Sequence, residues 1–540
     1  MTSNFLNKTY RFIFESNVKL YIKGRVWYNG TFLDDDSLLS LLRQHDNNLR
    51  EIVDQFRGFF SVLFLNDDNL IIITDIVRSF PIFYCVQGNF ILLAEDIADL
   101  VNKDNVDKSA VVEYRLTGYV TGYRTLIADC FQTQGAEIVS FLNSDCTVTV
   151  DRIQYYEFDY KSCLENALFD NFDNALIFAF KRLIHYANGR QLVVPLSGGY
   201  DSRLIVMMLK RLGYSNVFTF SYGTDYDKEA LISKRVAEDL NFNWEFILYS
   251  ENKWIDVIDL RTKYELWSSH YSTQPHVQDF LAVKELRDRK LVEIDAIFVP
   301  GHSGDFIAGS HLSNEILNSH FYNEEVCARF IYERHFNLDK DLSDVNRNEI
   351  LTKIQRSFGH RCVSDRKSCA SNFESWDWRE RQCKFVVNST SVYTFFNFDF
   401  WLPLWDIDVL NCALSSNLDE RFNRKWYIDY LTNDLAKITL FKDLESLSFR
   451  NPSDLSMGFY TIRNLFIKLN LLYLFRKVKF LYLFFFMREK LFSVSYFVLS
   501  FNKKNFVVIN YLKGFESTAI YNRYILKYIL NFNKSITDVK

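Results

Sequence analysis

The string Leu192-Val193-Val194-Pro195-Leu196-Ser197-Gly198-Gly199-Tyr200-Asp201-Ser202-Arg203 joins an apolar run to a glycine turn. A helical pattern follows through Leu204, Ile205, Met207, Met208 and Leu212. Glycines lack a Cβ, so they take tight turns and let backbone N–H groups approach an anion closely. The first turn of the following helix adds unpaired N–H groups and the positive end of its dipole. Ser197 and Ser202 bring hydroxyl donors. Asp201 would repel a phosphate by itself, and it makes sense only if Mg2+ bridges carboxylate and phosphate. The pattern therefore reads as a nucleotide phosphate cradle. It is not the G-x-x-x-x-G-K-[ST] loop, which this chain lacks. Pro195 is tolerable only because it sits near the strand's end. The competing reading is an ordinary glycine turn with a Ser/Asp helix cap.

A second loop repeats the design. The apolar run Ala296-Ile297-Phe298-Val299-Pro300 leads into Gly301-His302-Ser303-Gly304-Asp305, with Gly309 beyond. In an open α/β sheet, ligands sit beyond the carboxyl ends of the strands, where both loops fall. Asp201 and Asp305 are accordingly expected to share one metal site. The alternative for Asp305 is a helix cap.

These loops need strands and helices to hold them. Residues 1–155 look β-rich, with short runs at Tyr10–Phe14, Val18–Ile22, Gly58–Leu65, Leu70–Thr74, Ile82–Cys85 and Phe90–Leu93. Polar turns separate them, which predicts antiparallel sheets. From about residue 165 helical segments alternate with strands at Leu192–Leu196, Val217–Ser221, Phe246–Leu248 and Ala296–Pro300. That alternation predicts a parallel sheet flanked by helices. From 310 to 450 the pattern is mainly helical. The predicted units are 1–155, 156–460 and a basic, aromatic-rich extension, 461–540.

Composition bounds the rest. The chain has 540 residues, 48% hydrophobic and 24% charged, with a net charge of −4, and 51 Phe and 31 Tyr. Two or three globular domains fit, and a nucleic-acid partner does not. The nine cysteines include no C-x-x-C pair, so a zinc or iron–sulfur cage is not expected. The opening Met1-Thr2-Ser3-Asn4 lacks a secretory pattern, and a reducing, cytoplasmic location with free thiols is expected. No run of about 18 uncharged apolar residues is present, which argues against a membrane span. In 461–500, Arg463, Lys468, Arg476, Lys477, Lys479, Arg488 and Lys490 interleave with Leu, Phe and Tyr. Two readings stand: an extension packed on the main body, or peripheral contact with an anionic membrane.

The two loops resemble those of the asparagine synthetase family, which includes β-lactam synthetase. The resemblance covers roughly residues 18–460. Between the loops, Phe218–Gly223 with Asp227, Glu229, Ala230, Val236 and Ala237 is similar to the family's adenine-side strand and helix. Leu402–Asp408 with Ala413, Arg421 and Lys425 is similar to its C-terminal helical signature. Gly58–Ser61, Asp75–Arg78, Pro81–Tyr84, Ala94–Asp96, Gly118-Tyr119 and Gln134-Gly135 resemble phrases of its glutaminase domain. The resemblance implies an Ntn-hydrolase-like (αββα-like) antiparallel domain. An ATP-pyrophosphatase domain, of the adenine nucleotide α-hydrolase-like kind, follows it with a parallel sheet and a helical C-terminal part. It implies ATP and Mg2+, with Leu196, Ser197, Gly198, Gly199, Asp201, Ser202, Ser221, Tyr222, Gly301, Ser303 and Gly304 at the nucleotide. Asp201 and Asp305 would hold the metal. His302, Asp305 and Arg450 would be catalytic.

Three departures qualify that expectation. Thr2 stands where the family's glutaminase exposes a Cys, and Lys23 stands at its oxyanion Asn, so glutaminase activity is expected to be lost. His302 replaces a Glu linked to activating the amine, and a neutral imidazole can act as a base. Ser456 aligns with the family's late Lys, leaving Arg450 as the nearest cation; Arg and Lys are not equivalent donors. The resemblance implies an ATP-dependent amide ligase for asparagine biosynthesis, joining aspartate to ammonia or an amine, the nitrogen free or from a separate glutaminase. The alternatives are another acceptor, such as a uronic acid in surface-polysaccharide assembly, or a non-catalytic nucleotide-binding scaffold. A sulfur-transfer relative would want a Cys beside either loop, and none is there.

Overall fold

The structure is a computed structural model. It describes residues 11–435, apart from 16–17, 67–68, 88–89, 101–104, 145–146, 162–166 and 343–345, together with 517–530. Thr2, Arg450, Ser456 and the basic stretch 461–500 lie outside the described residues.

Two of the three described antiparallel sheets in the N-terminal part are stacked; the third joins Thr31–Leu33, Val26–Tyr28 and Phe56–Arg57. Six strands lie in the order Arg11–Glu15, Val18–Gly24, Phe60–Asn66, Asn69–Thr74, Glu137–Ser144, Thr147–Gln154. Three more lie in the order Cys130–Gln132, Phe83–Gln87, Phe90–Ala94. Alternation along each strand explains the stacking. Leu63, Ile72, Val139 and Phe141 meet Tyr84 and Ile82 between the sheets. Their neighbours Val62, Phe64 and Ile73 face the main core with Leu38, Leu39 and Leu42 of the helix Asp35–Gln44. The antiparallel prediction holds, and Val26–Tyr28, Thr31–Leu33, Phe56–Arg57 and the strands from 130 to 154 are additions to those read from sequence.

The second part is a parallel sheet in the order Asn243–Leu248, Val217–Gly223, Leu192–Pro195, Ile297–Phe298, Asp399–Phe400. All four pairings are parallel. Chain order reverses between Leu192–Pro195 and Ile297–Phe298. Such a switch point opens a crevice at the carboxyl ends of the two strands, and both glycine loops emerge there. Pro195 is the last residue of its strand. The strand expected at 296–300 has only two residues, and Asp399–Phe400 beside it was not foreseen. Two paired residues carry too little pattern to be read from sequence.

Residues 304–435 are mainly helical, as expected. Two described segments, Tyr430–Leu435 and Trp378–Val386, are π-helices, and the second bears on the site. It is clamped between the two parts. Trp378 Nε1 donates to Ile76 O at 3.0 Å, and the Gly122 N–H donates to Glu380 Oε2 at 2.8 Å. On its other side, Ser303 Oγ donates to Gln382 Oε1 at 2.7 Å. Arg57 ties the N-terminal part to Asp408 at 2.8 Å, and Arg182 holds Asp406 through two bonds of 2.8 and 2.6 Å.

The helix Ser517–Ile529 docks on the main body, burying Ala519, Ile520, Ile525 and Leu526. Asn522 Nδ2 donates to Tyr114 O at 2.6 Å, and Arg523 pairs with Asp339 at 2.5 Å. This helix lies beyond the basic stretch 461–500, to which the two readings of the extension apply. Among the described residues, no helix is long and apolar enough to cross a membrane.

Candidate active site

A pocket of about 550 Å³ lies over the switch point. Among the sequence-predicted residues it is lined by Leu196, Ser197, Gly199, Asp201, Ser202, Ser221, Tyr222, Gly301 and His302.

The first loop is tied to itself. The Ser197 N–H donates to Ser202 Oγ at 3.1 Å, and the Gly199 N–H donates to Ser197 Oγ at 3.1 Å. Gly199 is the N-cap of the helix Tyr200–Arg211, and no side chain caps that helix. The helix-cap reading of Ser197, Asp201 and Ser202 is therefore not what the structure realises. A 12-residue helix opens with its first-turn N–H groups directed at the pocket end of the sheet, a favourable place for an anion.

The second loop is pressed against the first. A Cβ on Gly301 would lie 2.9 Å from the backbone N of Ser202. One on Gly304 would lie 2.6 Å from Cγ of Asp201 and 2.8 Å from Leu404 Cδ1. These glycines are required by close approach, not by their own backbone angles. Ser303 does adopt the left-handed region, at φ 65°, and its side chain turns inward to Gln382. Ser303 and Gly304, both buried, accordingly support the loops from behind the pocket surface, while a Cβ on Gly198 would lie 3.4 Å from Glu229 Cα.

The contact brings Asp201 and Asp305 together. The Asp305 N–H donates to Asp201 Oδ2 at 3.0 Å, and Tyr427 Oη donates to Asp201 Oδ1 at 3.0 Å. Ser310 Oγ donates to Asp305 Oδ2 at 3.2 Å. Burial, and then the neighbouring Asp305 charge, push the Asp201 pKa up to about 7. Two carboxylates in that position suit a divalent cation, which would offset both effects. Among the described residues no cluster of three or more His, Cys, Asp or Glu is placed to hold a metal. A carboxylate pair is the donor set of Mg2+, which takes one or two carboxylates and completes its shell with phosphate oxygens and water.

Gly304→Ala is expected to push the Asp201 carboxyl aside and lower turnover at least about tenfold, since small misplacements at a reacting centre cost orders of magnitude. Thermal melting should fall by only a few degrees. Paired kinetic and melting measurements check this, and an unchanged turnover would count against the close approach.

His302 is half-buried. Ser389 Oγ spends its proton on Val386 O at 2.7 Å and lies 3.1 Å from His302 Nε2. With the serine proton so used, the ring proton is assigned to Nε2, and Nδ1 is then a buried acceptor with no partner among the described residues. Burial lowers the pKa to about 4, so the ring is neutral at pH 7.

On the nucleotide side, Ser221 Oγ donates to Leu196 O at 2.6 Å, and the Leu196 N–H donates to Phe220 O at 2.8 Å. Tyr222 stacks on Tyr249 at 5.0 Å, and its hydroxyl donates to Asp279 Oδ1 at 2.5 Å. Asp227, Glu229 and Ala230 line the same wall. Sequence reading missed His276, Gln278, Asp279, Arg381 and Ser389, all of which line the pocket. They come from a loop and two helical turns without motif spacing. At Lys23, the side chain pairs with Glu95 at 2.7 Å.

Residues 184–380 match the asparagine synthase family model. This region is an asparagine synthase domain. It contains both glycine loops, and its family is one of ATP-dependent amide ligases. The chain is 21% identical over 310 residues to the microcin J25-processing protein McjC of Escherichia coli, covering 55% of each chain. It thus spans about half the length of that curated relative. Among solved structures, the allosteric regulatory enzyme of purine biosynthesis aligns at a TM-score of 0.19 and 10% identity, over 44% of this chain and 70% of that one. Glutamine phosphoribosylpyrophosphate amidotransferase from B. subtilis, complexed with ADP and GMP, aligns at 0.18 and 8%, over 53% and 62%. The fold of the asparagine synthase domain rests on its own strand order, since such scores carry no weight for it.

Proposed function

We propose that the chain activates a carboxylate with Mg·ATP, releasing pyrophosphate, and then transfers an amine or ammonia to it, releasing AMP. The carrying observation is the uncapped start of the helix Tyr200–Arg211, whose Asp201 lines the pocket and accepts from the Asp305 N–H.

A carboxylate oxygen is a poor leaving group, so acyl transfer needs prior conversion to an acyl-adenylate. The loop N–H groups and hydroxyls would cradle the phosphates and stabilise the charge that grows on pyrophosphate. Mg2+ held by Asp201 and Asp305 would supply further neutralisation of that charge. The attacking amine must be neutral, yet an alkylamine with a pKa near 10.4 is almost wholly protonated at pH 7. Nδ1 of His302 is the acceptor at hand. Its depressed pKa makes it a weak base until an anionic intermediate beside it raises its proton affinity. Arg450 remains the proposed late cation.

Aspartate is the family-default acceptor, and a uronic acid is the alternative. The curated relative is named for processing microcin J25, so a microcin-type precursor joins the panel. Loss of glutaminase activity, a location in the cytoplasm, and the division at 155 and 460 belong to the same proposal.

The test is pyrophosphate release from Mg·ATP by the purified chain, each acceptor offered singly with ammonium present. Release that depends on one acceptor supports the ligase and names its substrate. ATP binding without release from any acceptor favours the scaffold reading.

A further inference from the structure

The pocket's charge is unbalanced. Its lining carries the carboxylates of Asp201, Asp227, Glu229 and Asp279, and Arg381 is the sole lysine or arginine among the described lining residues. Anything carrying phosphate or carboxylate into this pocket meets four acids and one fixed cation.

Arg381 is half-buried, and among the described residues it makes no hydrogen bond or ion pair. Nearby carboxylates already have closer partners, although Asp377 feels the Arg381 charge without pairing to it. Asp377, one turn earlier, lies 2.5 Å from His311 Nδ1 and accepts from Gln382 Nε2 at 3.2 Å. Glu380 pairs with Lys384 at 2.5 Å and with Arg379 at 3.3 Å. Across the pocket, Asp279 accepts from Tyr222 and, at 3.0 Å, from Tyr393. Asp227 caps its helix through the Ala230 N–H at 3.0 Å.

The segment that carries the guanidinium is held in place. Its π-helix is fixed to the N-terminal part through Trp378 and Glu380, and to the second glycine loop through Gln382 and Ser303. A π-turn inside helical structure frequently marks a functional position, because it re-aims side chains at the cost of regular hydrogen bonding.

We propose that Arg381 is the anion-docking residue of the pocket, its planar fork receiving an oxyanion that enters with the substrates. A guanidinium matches carboxylate and phosphate alike through two parallel bonds, so the shared chemistry is the planar, bidentate oxyanion edge. The two sources are the acceptor's carboxylate and the nucleotide's phosphates. This inference deepens the proposed ligase function and rests on that reading for its catalytic meaning, while its binding claim stands apart from turnover.

The experiment is calorimetric titration of the full chain and its Arg381→Gln and Arg381→Lys variants. The probes are Mg·ATP, magnesium pyrophosphate, aspartate and glucuronate. At least one probe should lose tenfold or more in affinity in Arg381→Gln and less in Arg381→Lys, which keeps the charge but not the fork. Melting temperatures of the variants should match that of the parent. Loss confined to aspartate or glucuronate assigns the guanidinium to the acceptor, and loss confined to ATP or pyrophosphate assigns it to the phosphates. Undiminished affinities in both variants, or a parent chain that takes none of the four anions, would overturn the inference. If Arg381→Gln does not fold, Arg381→Lys decides by the same comparison. Binding weakened in the variants of a chain that releases no pyrophosphate would sink the ligase reading and leave this one standing.

Discussion

Asp201→Asn is expected to reduce acceptor-dependent pyrophosphate release by at least about 100-fold, the scale of losing one preorganised electrostatic group at a reacting centre. The amide keeps the shape of the carboxyl but withdraws one of the two charges that would hold Mg2+. The same substitution is expected to raise stability when Mg2+ is absent. Burial and the Asp305 charge lift the pKa of Asp201 to about 7, well above the unfolded value. For an acid shifted upward, the folded state is favoured while the group is protonated and loses ground as pH rises from about 4 to about 7. At pH 8 the ionised carboxylate therefore costs stability, roughly 1.4 kcal/mol for every tenfold gain in proton affinity on folding, and asparagine removes that cost. Melting in a chelator at pH 8 should be higher for the variant, with the gap closing toward pH 4. A variant that is both active and no more stable would contradict the reading of Asp201 as a metal-binding carboxylate.

Arg421→Met is expected to destabilise the fold by about 3–5 kcal/mol, the usual result of removing one partner of a fully buried ion pair. Arg421 and Glu374 are both at 0% exposure, 2.8 Å apart. Arg421 also donates to Ala413 O at 2.7 Å and stacks over the Tyr160 ring at 5.1 Å. Gly309, at φ +104°, runs so close that a Cβ there would lie 2.5 Å from Arg421 O. The arginine thus fastens the C-terminal helices to the segment that follows Asp305. Chemical denaturation checks the magnitude. Arg421→Met with Glu374→Gln should recover part of the loss, because the orphaned charge is then gone. A loss below about 1 kcal/mol in the single variant would mean that the pair is not closed to water.

Legibility in the sequence followed the length and regularity of the local signal. The runs Leu192–Leu196 and Val217–Ser221 carry largely apolar or β-branched patterns and were readable as strands. Ala296–Pro300 was readable too, although only Ile297–Phe298 pairs; Asp399–Phe400 was not, since two residues of pairing leave no period to detect. The glycine loops were legible for a different reason. A turn that must admit an anion or a neighbouring backbone excludes a Cβ, and that exclusion is written directly as Gly. The partner of each glycine was not written anywhere. That Gly304 makes room for the Asp201 carboxyl depends on two strands, more than a hundred residues apart, becoming neighbours.

His302 and Arg381 show the same division. The sequence placed a histidine in the second loop, but its proton position and weak basicity come from Ser389 and from burial. Nothing local distinguished Arg381 from Arg379 two residues away. Arg379 meets Glu380, while Arg381 faces the pocket, because a π-helix fixes their directions and a domain contact fixes the π-helix.

By itself, the sequence determined the two loops, their order, their carboxylates and the strand-to-helix setting that suits a phosphate. Those depend on chain-local geometry: glycine at turns, N–H groups at a helix start, apolar runs in strands. The tertiary structure alone decided which charges are shared, which are cancelled and which remain open. Those outcomes depend on distances between segments remote in the chain, and such distances exist only once the parallel sheet has brought the loops side by side.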